Sequence, residues 1–79
     1  MLAKVEAVRV LQKQVSRYED KQKLYVMVGD GDTSIMKFRI DNEEVFHGLK
    51  AFDLVDLTLD LYVYGGQMYG QIVEIEKVG

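Results

Sequence analysis

Five tyrosines and seven of the ten basic residues carry the chemistry available to this chain. Tyr18 stands among Arg17, Lys21 and Lys23. Tyr25 comes two residues after Lys23, Lys37 and Arg39 share a spacing of two, and Tyr62, Tyr64 and Tyr69 flank the pair Gly65-Gly66. Further upstream, Arg9, Lys13 and Arg17 recur every four residues. Phenol rings offer flat, sequence-tolerant surfaces on which bases stack, while ammonium and guanidinium groups neutralise phosphates and release their condensed counterions. This mixture suits a single-stranded nucleic acid. A stacked base is worth ~1–3 kcal/mol by truncation, so two or three rings with several cations reach useful affinity without reading base edges.

Other chemistries find less support. The chain has no cysteine and one histidine, His47, which excludes disulfides, thiolate metal sites and histidine zinc sites. Asp30, Asp32, Ser34 and Asp41 approach a calcium-loop spacing, but Ile35 stands where glycine is required and Asp41 where the terminal glutamate belongs. A hairpin turn accounts for them better. Glu43 and Glu44 are neighbours on a helix candidate, so their carboxylates diverge and suit helix initiation instead of acid–base work. His47, near the end of that helix, suits a capping or dipole role. No phosphate-binding glycine loop, catalytic triad or paired-carboxylate arrangement is found. The sequence therefore predicts a binding protein with no catalytic residues, no metal and no cofactor.

A length of 79 residues holds one domain, and 48% hydrophobic content argues against a disordered tail. The formal net charge is −3, yet the two halves are opposed. Residues 1–39 carry eight bases against five acids, a net +3, and residues 40–79 carry two against eight, a net −6. A basic surface built from the first half attracts phosphate while the acidic remainder limits adhesion elsewhere. No apolar run approaches the ~18 residues of a membrane span, and Glu6 interrupts the N-terminus before a signal-peptide core forms. A soluble, cytoplasmic protein without a membrane partner is expected.

These residues need strands to position them. Residues 3 to 17 read as a long first strand whose apolar parity changes between Ala7 and Val8, predicting a β-bulge there. Beyond it, Arg9, Lys13 and Arg17 share parity and would line one edge. The polar segment Ser16 to Gln22 reads as an exposed loop bearing Tyr18. Lys23 to Val28 alternates strictly, with Leu24, Val26 and Val28 inward and Lys23, Tyr25 and Met27 outward. The turn Gly29-Asp30-Gly31-Asp32 then leads to a strand with Ser34, Met36, Phe38 and Ile40 inward and Ile35, Lys37 and Arg39 outward. Asp41 or Asn42 caps a two-turn helix, Glu43 to His47, closed by Gly48, with Val45, Phe46 and Leu49 pressed on the sheet. Val55 to Val63 alternates cleanly, Gly65-Gly66 makes a two-residue hairpin, and Tyr62 faces Tyr69 with Tyr64 opposite Gln67. The last strand runs to about Val78 and has a phase ambiguity near Ile72 and Val73. Phe38 is expected in the core, Phe46 at the helix contact and Phe52 on the approach to the fourth strand.

The order is strand, strand, strand, short helix, strand, strand, which predicts a mainly β domain: a five-stranded OB-fold barrel spanning residues 1–79. Ligands of such barrels cross strands two and three, between the loop joining strands one and two and the loop joining strands four and five. The layout resembles OB-fold single-stranded-DNA-binding proteins, above all the small helix-destabilising kind of filamentous phages and mobile elements. The resemblance rests on the opening Lys4-Val5-Glu6, the basic tyrosine-bearing loop, the basic hairpin face and the aromatic segment Leu61-Tyr62-Val63-Tyr64-Gly65-Gly66-Gln67-Met68-Tyr69-Gly70. It implies a homodimer that coats single strands cooperatively, as in DNA replication. RNA is a variant of the same reading. The alternative is a protein-interaction or assembly module whose tyrosines form an oligomer interface, because Tyr and Arg are enriched at such surfaces.

Overall fold

Strict alternation decides which side chains go inward, and the computed structural model, which describes residues 1–29 and 35–78, follows it closely. Five strands form one sheet: β1 (Leu2–Tyr18), β2 (Lys21–Gly29), β3 (Ile35–Ile40), β4 (Leu54–Tyr64) and β5 (Gln67–Lys77). The helix α1 (Glu43–Gly48) lies between β3 and β4. Hydrogen bonds close the sheet into a ring in the order β1-β2-β3-β5-β4, with β4 returning to β1. All pairings are antiparallel except β3 with β5, which is parallel and limited to Arg39↔Gln71 and Ile40↔Ile72. Inside the ring lie Val8, Val10, Leu24, Val26, Val28, Ile40, Leu57, Leu59 and Ile72, with Phe46 and Leu49 packed on them from the helix segment. Among the described residues, no helix is long and apolar enough to cross a membrane.

The expected bulge in β1 is present, with the register to β4 shifting between Val5 and Val8. Ala7 has φ 56°, and its amide donates to Asp56 Oδ1 at 2.8 Å. A second bulge, which the sequence pattern did not reveal, falls between Val10 and Gln12 against β2. Together they let β1 bend enough to pair with β4 through its first half and with β2 through its second. The phase ambiguity near Ile72 resolves in the same way: Thr58 pairs with Glu74 but Leu59 with Ile72, leaving Val73 bulged and exposed.

The segment Ser16 to Gln22 is not the expected loop. Pairing continues through Ser16↔Lys23, Arg17↔Gln22 and Tyr18↔Lys21, and only Glu19 and Asp20 turn the chain, with Glu19 at φ 51°. A ribbon with both faces in water needs no apolar alternation, because its ladder bonds form whatever side chains it carries. The expected turn Gly29-Asp30-Gly31-Asp32 and the start of the third strand at Ser34 lie mostly outside the described residues. The flanking pairs Gly29↔Ile35 and Val28↔Met36 give the β2–β3 hairpin. The Gly65-Gly66 turn has φ 61° and 79°, the left-handed geometry that two-residue hairpins favour.

Asn42, of the two candidates, caps α1, its Oδ1 accepting from the Val45 amide at 3.1 Å. At the other end Gly48 adopts no left-handed conformation, and the chain leaves through Leu49 in an extended one. Carbonyls at this end accept from lysines of distant strands: Lys13 Nζ donates at 3.2 Å to Phe46 O, which also accepts the Leu49 amide, and Lys77 Nζ donates at 3.0 Å to Gly48 O. His47 stays in the last turn with its ring edge-on to Phe46. The next turn is held by Asp53. Its Oδ2 accepts the Lys50 amide at 2.9 Å and lies 3.4 Å from Lys77 Nζ, and the amide bond above all, then the lysines, hold its carboxyl below the ordinary aspartate range.

Candidate nucleic-acid interface

The short parallel contact between β3 and β5 creates the site. Both strands reach the pairs Arg39↔Gln71 and Ile40↔Ile72 from their N-terminal sides, and before that point no ladder bonds join them. A groove of about 610 Å³ occupies this opening. One wall is the outer face of the β2–β3 hairpin, with Lys23, Tyr25, Lys37 and Arg39. The opposite wall is the β4–β5 hairpin, with Tyr62, Tyr64, Met68 and Tyr69. Met36, Phe38 and Gly70 lie between them.

Each wall is set by register. Tyr25 pairs with Arg39 and Met27 with Lys37, so these four side chains share the outer face. Lys37 Nζ sits 4.5 Å from the Tyr25 ring centroid, a cation–π contact that covers one face of that ring. Across the groove Tyr62 pairs with Tyr69, and their rings stack with centroids 5.7 Å apart and planes 23° apart. The Tyr69 hydroxyl donates to Gln67 Oε1 at 2.9 Å, which fixes that ring further. Tyr62 and Tyr69 remain about 40% exposed and Tyr64 76% exposed, so all three leave ring surface open to solvent.

The groove is electropositive. Three cations line it, and among the described residues that line it none is acidic. Asp41, just beyond, lies with Oδ1 3.4 Å from Arg39 Nε, and its other oxygen accepts from Gln71 Nε2. Among the described residues no cluster of three or more His, Asp or Glu side chains is placed to hold a metal ion.

Seven of the twelve candidate binding residues therefore meet in one groove: Lys23, Tyr25, Lys37, Arg39, Tyr62, Tyr64 and Tyr69. The other five do not line it. Arg9, Lys13 and Arg17 do not form the expected stripe, because the second bulge in β1 reverses parity after Val10. Lys13 then pairs with Val26 and Val15 with Leu24, on the inward side, whereas Arg9 is opposite Gly29. Arg9 Nη1 donates to Phe52 O at 3.1 Å, and Lys13 is bound to the end of α1, where its ammonium also sits 5.1 Å from the Phe46 ring centroid. Arg17, Tyr18 and Lys21 stand exposed at the β1–β2 tip, where Arg17 and Lys21 line a separate, smaller depression with Glu19 and Asp20.

Met36, Phe38, Met68 and Gly70 join the groove although sequence reasoning gave them no site role. Phe38 is expected in the core and is half-buried, because its inward side reaches the core while the strand before Arg39 has no β5 partner. Phe46 is buried as expected, and Phe52 precedes β4 with its ring exposed. Compared with known protein families, characterised proteins and solved structures, the chain matches none.

Proposed function

We propose that this protein is an OB-fold single-stranded-DNA-binding protein, largely indifferent to sequence and without enzymatic activity. One observation carries the reading: four tyrosines and three cations meet in a groove where, among the described residues, no acidic side chain lines the walls. Supporting it, the ring order β1-β2-β3-β5-β4 with a helix between β3 and β4 is the arrangement expected of an OB barrel, and the groove lies beside strands two and three. Tyr62, Tyr64 and Tyr69 are the stacking surfaces. Lys23, Lys37 and Arg39 neutralise phosphates, and Tyr25 steadies Lys37 from below. A cytoplasmic setting and a strand-coating dimer belong to the same proposal.

Titration with oligothymidylate tests it. The chain has no tryptophan, so its emission reports tyrosine, and stacking quenches it. With two to three phosphates neutralised, log K against log salt falls with a slope of about −1.4 to −2.1. Lys37→Ala lowers affinity and flattens that slope by about 0.7. Absence of binding and of quenching at low salt refutes the reading. A stable oligomer dispersed by Tyr62→Ala or Tyr69→Ala, with no oligonucleotide binding, would favour an assembly module.

A further inference from the structure

Arg39 closes the ring and lines the groove at once. It is one of only two β3 residues paired with β5, and its partner in that ladder is Gln71. Asp41 engages both members of the pair: Oδ1 faces Arg39 Nε at 3.4 Å and Oδ2 accepts from Gln71 Nε2. Arg39 Nε is nevertheless buried with no aligned hydrogen bond. The contact is therefore an attraction between charges with poor donor geometry, between side chains 40% and 63% exposed. Such pairs are weak and screened, and a phosphate oxygen in good alignment competes with them readily.

We infer that Asp41 is an intramolecular stand-in for phosphate: it holds Arg39 at the end of the groove in the free protein and is displaced by the backbone of the bound strand. The inference rests on the nucleic-acid reading of the groove. Two features favour exchange over a permanent ion pair. The carboxylate has a second anchor in Gln71, so it keeps a partner when Arg39 turns to the ligand. After Asp41 and the cap Asn42 come Glu43 and Glu44, both exposed at the start of α1, so positive potential ends at Arg39 and a bound strand meets repulsion beyond it. Asp41 thus lowers affinity and marks where the site stops. It acts through Arg39 and is a positioning residue.

Asp41→Asn tests this because it removes the charge while its amide oxygen still accepts from Gln71. Oligothymidylate titrations of the wild type, Asp41→Asn, Arg39→Ala and the double variant are run at several salt concentrations. The expected result for Asp41→Asn is three- to fivefold tighter binding at low salt and a gain that shrinks as salt screens the carboxylate it removes. That gain vanishes in the double variant, and Asp41→Glu restores wild-type behaviour. Wild-type binding with unchanged or weaker binding by Asp41→Asn overturns the inference and leaves the functional reading intact. Gain that survives in the double variant also overturns it, by showing that Arg39 is not the route. No binding by either the wild type or Asp41→Asn overturns both.

Discussion

A single methyl group at Gly70 tests how the floor of the groove is built. A Cβ at this position would lie 2.7 Å from Phe38 Cδ1, 2.9 Å from Phe38 Cε1 and 3.3 Å from Leu61 Cδ2. Carbon atoms pack at about 3.5–4.0 Å, so the Phe38 ring must retreat by about 1 Å. Phe38 is packed against the core cluster, which leaves displacement toward the groove or strain in β3. Overpacking of this kind costs about 1–3 kcal/mol. Gly70 is not at positive φ, so alanine brings no backbone penalty and recovers about 0.4–1 kcal/mol through the unfolded state. The net loss is about 1–2 kcal/mol, or roughly 4–16 °C in Tm for a domain of this size. Urea and thermal unfolding followed by far-UV circular dichroism measure it. Phe38→Leu removes the clashing ring, so the double variant is more stable than additivity predicts by about 1 kcal/mol. A Gly70→Ala protein as stable as the wild type, or a double variant that is strictly additive, would refute the reasoning.

Three further outcomes follow from the helix end and its turns. Because the Asp53 carboxyl is held below its ordinary value of 3.8, it stabilises the fold at neutral pH, and that contribution is lost as pH falls through 3.8 and on through the folded value. The Tm gap between the wild type and Asp53→Asn is therefore positive at pH 7 and shrinks below about pH 4; a gap constant down to pH 2 contradicts the assignment. Lys13→Met loses the bond to Phe46 O and the contact with its ring, lowering stability by about 1–2 kcal/mol in urea unfolding while oligothymidylate affinity stays within about twofold. Asn42→Ala removes the N-cap of α1 and costs about 1 kcal/mol in the same assay, with Asn42→Asp close to the wild type.

Much of this protein is written in neighbouring residues. Alternation from Lys23 to Val28 and from Val55 to Leu59 is a local property of a pleated strand with one wet face, so these inward sets and the Tyr62↔Tyr69 pair follow from sequence alone, whereas Val63, of the same parity, is exposed beyond the core. The Gly65-Gly66 turn and the cap at Asn42 are equally local, since each depends on the conformational range or the hydrogen-bonding reach of one or two residues. The bulge at Ala7 was legible because two apolar sets of opposite parity must both reach the core. The bulge after Val10 was not. Lys13 takes an inward position there, and a lysine becomes acceptable inward only when a helix terminus elsewhere in the chain offers a carbonyl to its ammonium.

Tertiary structure alone decided the groove. The parallel join of β3 to β5 links residues more than thirty positions apart, and nothing in either strand states that it stops after two pairs. That stop turns Met36 and Phe38 from core residues into groove residues and brings the second aromatic hairpin opposite the first basic one. It also sets Arg39 beside Asp41 and Gln71, whereas Arg9 and Lys13, equally basic in sequence, are drawn into bonds with backbone carbonyls. The sequence by itself determined the outward set of β2 and of the first half of β4. Which of those outward residues meet was decided by ring closure, because register between distant strands depends on packing the whole core at once.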